Sequence, residues 1–271
     1  MKKVKPQEIE LTTVDGQVVK VIFPLPDGRS ILNPNAFSYY ADGMATIHSA
    51  EFMTDPKFIA AYRAGANKTK PRIWWRAYVA LWAAQQGLLL KGDFVECGVH
   101  TGMLSKTICE YIKFSEVKDK KFYLLDTYCG IVESLISEEE KRLNYNFTKL
   151  NETHYPTDIY EKTLSQFSMY ENVELVRGMI PGTLAQVPST SIAYLSIDMN
   201  AEVPEIAAGE FFWPKLSPGA FIVLDDYGWS KHKAQKAAWD RFAAARGVTV
   251  LSLPTGQGLL QKPGPGGKIP A

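Results

Sequence analysis

Cysteine is scarce: Cys97, Cys109 and Cys129 are the only three in 271 residues, and none forms a Cys-x-x-Cys pair. That excludes a disulfide framework and a cysteine zinc site, and it suits a reducing, cytoplasmic setting. Excess charge of one sign is also missing. With 30 Lys and Arg against 29 Asp and Glu, the basic stripe of a dedicated nucleic-acid binder has no support. No apolar run is long and unbroken enough to cross a bilayer, and the charged start, Met1 to Glu10, lacks the apolar stretch of a signal peptide. No internal repeat is present. What remains, 46% hydrophobic and 22% charged residues, is the ordinary balance of a globular chain, and the length suits one large α/β domain with or without an appendage.

Asp15-Gly16 interrupts a partly alternating stretch, Ile9 to Phe23, and this dipeptide tolerates the positive φ angles of a tight turn, so a hairpin is expected there. A loop through Pro24, Pro26, Asp27-Gly28 and Pro34 follows, and Asp55-Pro56 sets a proline in the first turn of helical structure reaching about Ala66. Ile73 to Leu90, with Trp74, Trp75, Tyr78, Leu81 and Trp82, leaves few polar positions on any helical face. So much aromatic surface is rarely left exposed, so this helix should cover the active site or a subunit interface, and a homo-oligomer is expected. Residues 1–90 are thus taken as a hairpin and helical cap.

From Gly92 short apolar runs alternate with helical stretches, the signal of a largely parallel α/β sheet filling residues 91–271. The expected strands are Asp93 to Cys97, Phe122 to Asp126, Val173 to Arg177, Ile192 to Asp198, Ala220 to Asp225, Val248 to Leu253 and Gly258 to Lys262. The connection between the last two is too short for a parallel crossover, so they form an antiparallel hairpin. Residues 130–168 are longer than a simple connection and are taken as a helical insertion able to act as a lid. The Gly- and Pro-rich tail from Pro263 is a flexible end.

The first of these strands runs into Glu96-Cys97-Gly98-Val99-His100-Thr101-Gly102, and a helix, Met103 to Phe114, begins at once. Gly98 lets a ligand approach the backbone, Gly102 lets the helix start close to the strand, and the helix N-terminus offers N–H groups to a carboxylate. The dinucleotide fingerprint GxGxxG is absent. Asp126 closes the second strand, where a carboxylate can accept ribose hydroxyls. Arg177-Gly178-Met179 can pass beside an adenine, with Met179 as the apolar contact. Asp198 and the pair Asp225-Asp226 bring three carboxylates to one sheet edge, where ligands of open α/β sheets bind. Like charges gathered there need a cation or protons, and hard oxygen donors suit Mg²⁺ or Ca²⁺. The alternative is that Asp225 and Asp226 cap a turn and a helix start while Asp198 alone touches cofactor. Pro254-Thr255-Gly256-Gln257-Gly258 either borders an acceptor pocket or is a tight turn.

The acid two positions before Gly98 resembles the methyltransferase ExGxxxG pattern, in which it faces the amino-bearing end of the cofactor. Seven strands ending in a hairpin resemble the Rossmann-like class I methyltransferase sheet. The runs Gly92-Asp93-Phe94-Val95-Glu96-Cys97-Gly98-Val99, Leu125-Asp126-Thr127-Tyr128, Pro181-Gly182-Thr183-Leu184, Pro214-Lys215-Leu216-Ser217-Pro218-Gly219 and Leu224-Asp225-Asp226-Tyr227-Gly228 are similar, in order, to the macrocin O-methyltransferase family. The resemblance implies an S-adenosylmethionine-dependent enzyme that methylates hydroxyls of sugars on antibiotics and related glycans. It implies cofactor at Glu96, Gly98, Gly102, Asp126, Gly178, Met179 and Asp198, and a divalent metal held by Asp198, Asp225 and Asp226.

One departure matters. The family carries Asp-Gly-Asp where this chain has Asp198-Met199-Asn200, so an amide stands where an acidic general base is expected. An amide takes no proton at neutral pH; another group does so, or the metal alone lowers the acceptor's pKa. Glu202, Glu205 and His232 are the candidate bases, with Asn200 orienting the acceptor and a metal at Asp198, Asp225 and Asp226 stabilising the developing alkoxide. The expected function is methyl transfer to a hydroxyl of a sugar or glycosylated small molecule, assisted by Mg²⁺, with no nucleic-acid or membrane partner. The rivals are a metal-independent methyltransferase of another acceptor class and a cofactor-binding protein with little turnover.

Overall fold

The computed structural model describes residues 7–12, 18–23, 38–46, 48–66, 72–143, 146–155 and 157–267. The chain divides into two compact units, Met1–Ala50 and Glu51–Ala271. In the first, β1 (Gln7–Thr12) pairs antiparallel with β2 (Val18–Phe23) from Gln7 opposite Phe23 to Thr12 opposite Val18, which gives the expected hairpin. Its Asp15-Gly16 turn and the loop from Pro24 to Pro34 lie outside the described residues. A second hairpin, β3 (Tyr39–Ala41) with β4 (Met44–Thr46), turns on Asp42 and Gly43, both at positive φ as a two-residue hairpin turn requires. This hairpin was not expected, because three-residue strands are too short to show alternation.

The larger unit holds a seven-stranded sheet, β5 (Asp93–Cys97), β6 (Phe122–Asp126), β7 (Val173–Arg177), β8 (Ile192–Ile197), β9 (Leu216–Leu224), β10 (Leu251–Ser252) and β11 (Gly258–Gln261), in the order β10-β11-β9-β8-β5-β6-β7. β5 to β9 are parallel, and at one edge β11 runs antiparallel to both of its neighbours, β9 and β10. This is the expected architecture.

Alternate residues of each strand feed two cores. Phe94, Phe122, Leu124, Tyr194 and Val223 face α1 (Pro56–Ala66), α2 (Trp74–Leu88) and α3 (Met103–Ile112). Val95, Leu125, Leu195, Ile197 and Ile222 face α7 (Glu202–Phe212) and α8 (Lys233–Ala244). Since α1 and α2 pack in the first of these cores, the unit containing the sheet begins at residue 51, and the boundary expected near residue 90 is not where the packing divides. The alanine face of α2, Ala77, Ala80, Ala83 and Ala84, is fully buried, while the aromatic residues largely satisfy one another: Trp74 stacks on Tyr62 at 3.8 Å and Phe52 on Tyr78 at 4.3 Å.

The insertion contributes α4 (Glu138–Arg142), started by a Ser137/Glu140 capping box, then α5 (Phe147–His154) and α6 (Tyr160–Phe167). No helix among the described residues is long and apolar enough to cross a membrane.

Candidate active site

The strand order fixes where a ligand can enter. From β5 the chain winds outward through β6 and β7, then returns to place β8 on the other side of β5, so the connections leaving β5 and β8 diverge and open a crevice at their carboxyl ends. A cleft lies there, lined by Gly98, His100, Asp126, Gly178, Asp198 and Asn200 from the strand tips, and by Tyr155 and an apolar strip, Ile131, Val132 and Leu135, from the insertion.

The tips are tied together mainly by Asp126. Its Oδ2 accepts the backbone N–H groups of Val99 (2.6 Å) and His100 (2.7 Å), and its Oδ1 accepts that of Tyr128 (2.6 Å) and the Thr127 hydroxyl (3.3 Å). A carboxylate has about four acceptor sites, so the one expected to take ribose hydroxyls already holds the turns after β5 and β6 in place. Three non-glycine residues at these tips, His100, Tyr128 and Asn200, have positive φ (48°, 56° and 56°), and all three line the cleft. Such conformations persist only where surrounding bonds over-determine them, as those to Asp126 do at His100 and Tyr128.

Asp198, Asp225 and Asp226 come together as expected, with ligand atoms within 4.8 Å of one another. Burial, then Asp225 and Asp226, push the Asp198 carboxyl well above its usual range, and Arg76 opposes the shift. Their donor type and spacing suit a hard divalent cation. The residues as arranged nevertheless fit one poorly, because each oxygen of the buried Asp225 already takes a donor and one of these is a cation: Oδ2 pairs with Arg76 Nη1 and Oδ1 accepts from Gln257 Nε2 at 2.9 Å. The Pro254–Gly258 segment therefore braces Asp225 through Gln257, and none of its residues lines the cleft. Asn200 Nδ2 makes long hydrogen bonds of 3.4 Å to Asp198 Oδ1 and to the Tyr155 hydroxyl.

Other expected site residues lie elsewhere. Glu96 faces the α2 and α3 side of the sheet and does not line the cleft. Burial, then Asp225 and Asp126, raise its pKa, and its Oε2 has no hydrogen-bond partner. Gly102 is buried at the N-cap of α3. Met179 is exposed, and Ile180 lines the cleft in its place. Glu202 accepts from Ser137 Oγ (2.7 Å) and pairs with Arg241 (3.2 Å), joining the insertion to α7 and α8. His232 bonds Gln235, which donates to Glu205 at 2.7 Å, and Trp239 Nε1 donates to the same carboxylate at 2.9 Å.

Burial pushes the Glu205 carboxyl up to about 8 from its ordinary value of 4.5, against the opposing bonds from Trp239, Gln235 and Met199. The folded state keeps this proton while the unfolded chain sheds it, so its contribution is full below pH 4.5, declines as pH rises and is gone above about 8. Replacing Glu205 with Gln is expected to flatten that decline in thermal melts recorded across this window. An equal decline in wild type and variant would assign it to another group.

Arg76, Gln257, Tyr155 and His100 are the cleft and cluster residues that sequence reasoning missed or left without a partner. Arg76 gave one signal: it is a lone charge within an otherwise apolar helix.

Residues 83–251 match the family model described as Macrocin-O-methyltransferase (TylF). Mycinamicin III 3''-O-methyltransferase of Micromonospora griseorubida is 24% identical over 140 residues, covering 50% of this chain and 55% of that protein. The 8-demethyl-8-(2,3-dimethoxy-alpha-L-rhamnosyl)-tetracenomycin-C 4'-O-methyltransferase of Streptomyces olivaceus is 25% identical over 141 residues, covering 50% and 53%. The aligned segments thus span about half the length of these relatives. Among solved structures, the O-methyltransferase NovP superposes with a TM-score of 0.60 at 20% identity, covering 70% of this chain and 80% of that one. The calicheamicin methyltransferase CalS11 gives 0.56 at 17%, covering 85% and 96%. At such identities the likeness is one of fold.

Proposed function

The chain belongs to the macrocin O-methyltransferase family, and from that premise we propose that it transfers the methyl group of S-adenosylmethionine to a hydroxyl of a sugar or glycosylated small molecule. The observation that carries the reading is the charge of the cleft. Asp126 and Asp198 line it, and no lysine or arginine stands among its described lining residues. That environment favours a sulfonium cation and disfavours the pyrophosphate of a dinucleotide. Gly98 and Gly178 line the cleft, and Ile131, Val132, Leu135 and Ile180 offer an apolar wall for an adenine.

S-adenosylmethionine, when bound, supplies an electrophilic methyl group. The chain's own work is to orient a hydroxyl, exclude water and take a proton. Asp198 and Asn200 are placed to orient the acceptor, the amide held between Asp198 and Tyr155. Glu202, Glu205 and His232 do not line the cleft, whereas His100 does. Its ring meets Tyr155 edge-on at 4.9 Å, and burial lowers its pKa, opposed by Asp126 and aided by His154 and Lys162. A neutral imidazole here is the proposed proton acceptor.

His100→Gln is expected to lower kcat by about 10²–10⁴-fold and to remove the acid limb of the pH-rate profile. An unaltered profile would return the proton to water or to Asp198. The methyl-transfer reading itself is tested by incubating the protein with labelled S-adenosylmethionine and a panel of deoxysugar-bearing, catechol and carboxylate acceptors. Transfer to the sugars supports it. Cofactor binding without product from any acceptor favours the binding-protein rival.

The three cysteines are free, in keeping with a cytoplasmic location. The half-exposed Tyr78 and Trp82 of α2 support a homo-oligomer, which light scattering would refute by finding a monomer.

A further inference from the structure

We propose that Arg76 is the resident cation of the Asp198, Asp225 and Asp226 cluster, offsetting its negative charge in place of a divalent metal. The inference concerns the cluster alone. It is read first by metal binding, so it stands or fails separately from the methyl-transfer reading.

Three carboxylates held within 4.8 Å repel one another and require a positive charge or bound protons. Arg76 meets that need from an unusual place. It projects from α2, where its neighbours Trp74, Trp75 and Ala77 pack in the apolar layer, and its side chain is only 17% exposed. Burying a guanidinium without a partner costs several kcal/mol, so an arginine at this position has to be matched by an acid, and its match is Asp225. Gln257, with no exposed surface, fixes the pair from behind: its Nε2 donates to Asp225 Oδ1 at 2.9 Å and reaches the Arg76 carbonyl oxygen at 3.3 Å. The Thr255 hydroxyl donates to Gln257 Oε1 at 3.0 Å and so sets which way that amide points. The Trp229 ring lies 5.9 Å from the guanidinium carbon.

Each oxygen of Asp225 is thus assigned to a donor of the chain, and each donor is itself held. A metal drawing on all three carboxylates has to approach Asp225 against the charge of Arg76, on an oxygen that already takes a donor, or displace the arginine from its acid. Asn200 points the same way. An amide between Asp198 and Tyr155 keeps the cluster at three carboxylates, whereas the aspartate expected from the family pattern would set a fourth against the same single arginine.

The consequence is a positioning role. Arg76 fixes Asp225 at the tip of β9, and Asp225 N in turn donates to Ile197 O at 3.0 Å beside the tip of β8 that carries Asp198 and Asn200. Arg76 does not line the cleft and acts through these carboxylates.

The test is a titration of the intact, chelator-treated protein with Mn²⁺, followed by electron paramagnetic resonance and calorimetry, together with thermal melts with and without Mg²⁺. Wild type is expected to bind no Mn²⁺ up to millimolar concentration and to melt at the same temperature in Mg²⁺ and in chelator. Arg76→Gln frees Asp225, and it is expected to gain Mn²⁺ affinity by roughly tenfold or more and to be stabilised by added Mg²⁺. Arg76→Lys keeps the charge and is expected to gain no affinity. Micromolar Mn²⁺ binding by the wild type, which needs no variant to fold, overturns the proposal, as does a folded Arg76→Gln protein that gains none.

Discussion

Replacing Gly98 with alanine is expected to be among the most destabilising glycine-to-alanine changes at the described residues, and to abolish cofactor binding with it. Gly98 has φ near +89°, and a Cβ there would stand well inside van der Waals contact with the Asp198 carbonyl. Relief by backbone movement is blocked on both sides. Gly98 N donates to Leu125 O at 2.9 Å, and Asp198 N donates to Cys97 O at 2.8 Å, so the three central strand tips are clamped at this height. The left-handed conformation costs an L-residue about 1–2 kcal/mol, and an overlap that the backbone cannot relieve adds about 1–3 kcal/mol or more. Together these approach 4 kcal/mol, or a fall in melting temperature of roughly 10 °C for a domain of this size. Differential scanning fluorimetry checks it. A variant melting within a degree or two of wild type would mean that β5 and β8 do not approach as described.

Asp126→Ala is the second large effect. The substitution leaves the N–H groups of Val99, His100 and Tyr128 without their acceptor. Hydrogen bonds to a charged group contribute about 1.5–3 kcal/mol each, though water reaching the cleft recovers part of this. A loss of roughly 3–5 kcal/mol is expected, together with release of His100 and Tyr128 from their left-handed conformations, so no heat should be seen on titration with S-adenosylmethionine. Asp126→Asn keeps one carbonyl oxygen and is expected to fall between. If the alanine variant keeps both wild-type stability and wild-type affinity, the carboxylate does not organise the cleft.

The parallel strands were legible because strands covered on both faces are written as short, nearly continuous apolar runs, and β5 to β8 lie where these runs lie. The edges were less so. β9 begins at Leu216, four positions before the expected Ala220, because Ser217-Pro218-Gly219 has the composition of a loop. The structure accommodates it through a register shift against β8 between Ile192 and Tyr194. β10 shrinks from the expected Val248 to Leu253 to Leu251–Ser252, paired through two positions on a single neighbour.

Within the site, acids at strand tips could be placed from sequence, since a strand's end and the sheet's switch point together put Asp126, Asp198 and Asp225 at one edge. What each acid bonds could not. The Arg76 to Asp225 pair spans 149 positions and depends on how α2 is rotated on the sheet, which periodicity does not encode when every face of the helix is apolar. Glu202 and His232 were plausible bases by proximity in sequence to Asn200 and Asp226. The helices that carry them turn both toward Arg241, Ser137 and Gln235 rather than toward the cleft.

Calorimetric titration of the purified chain with S-adenosylmethionine and with S-adenosylhomocysteine tests the central claim most directly. The expected result is binding of both at one site per chain, lost in Asp126→Ala and retained in Arg76→Lys. Absence of heat with either compound, in protein shown by its melt to be folded, would contradict the assignment of this cleft to S-adenosylmethionine.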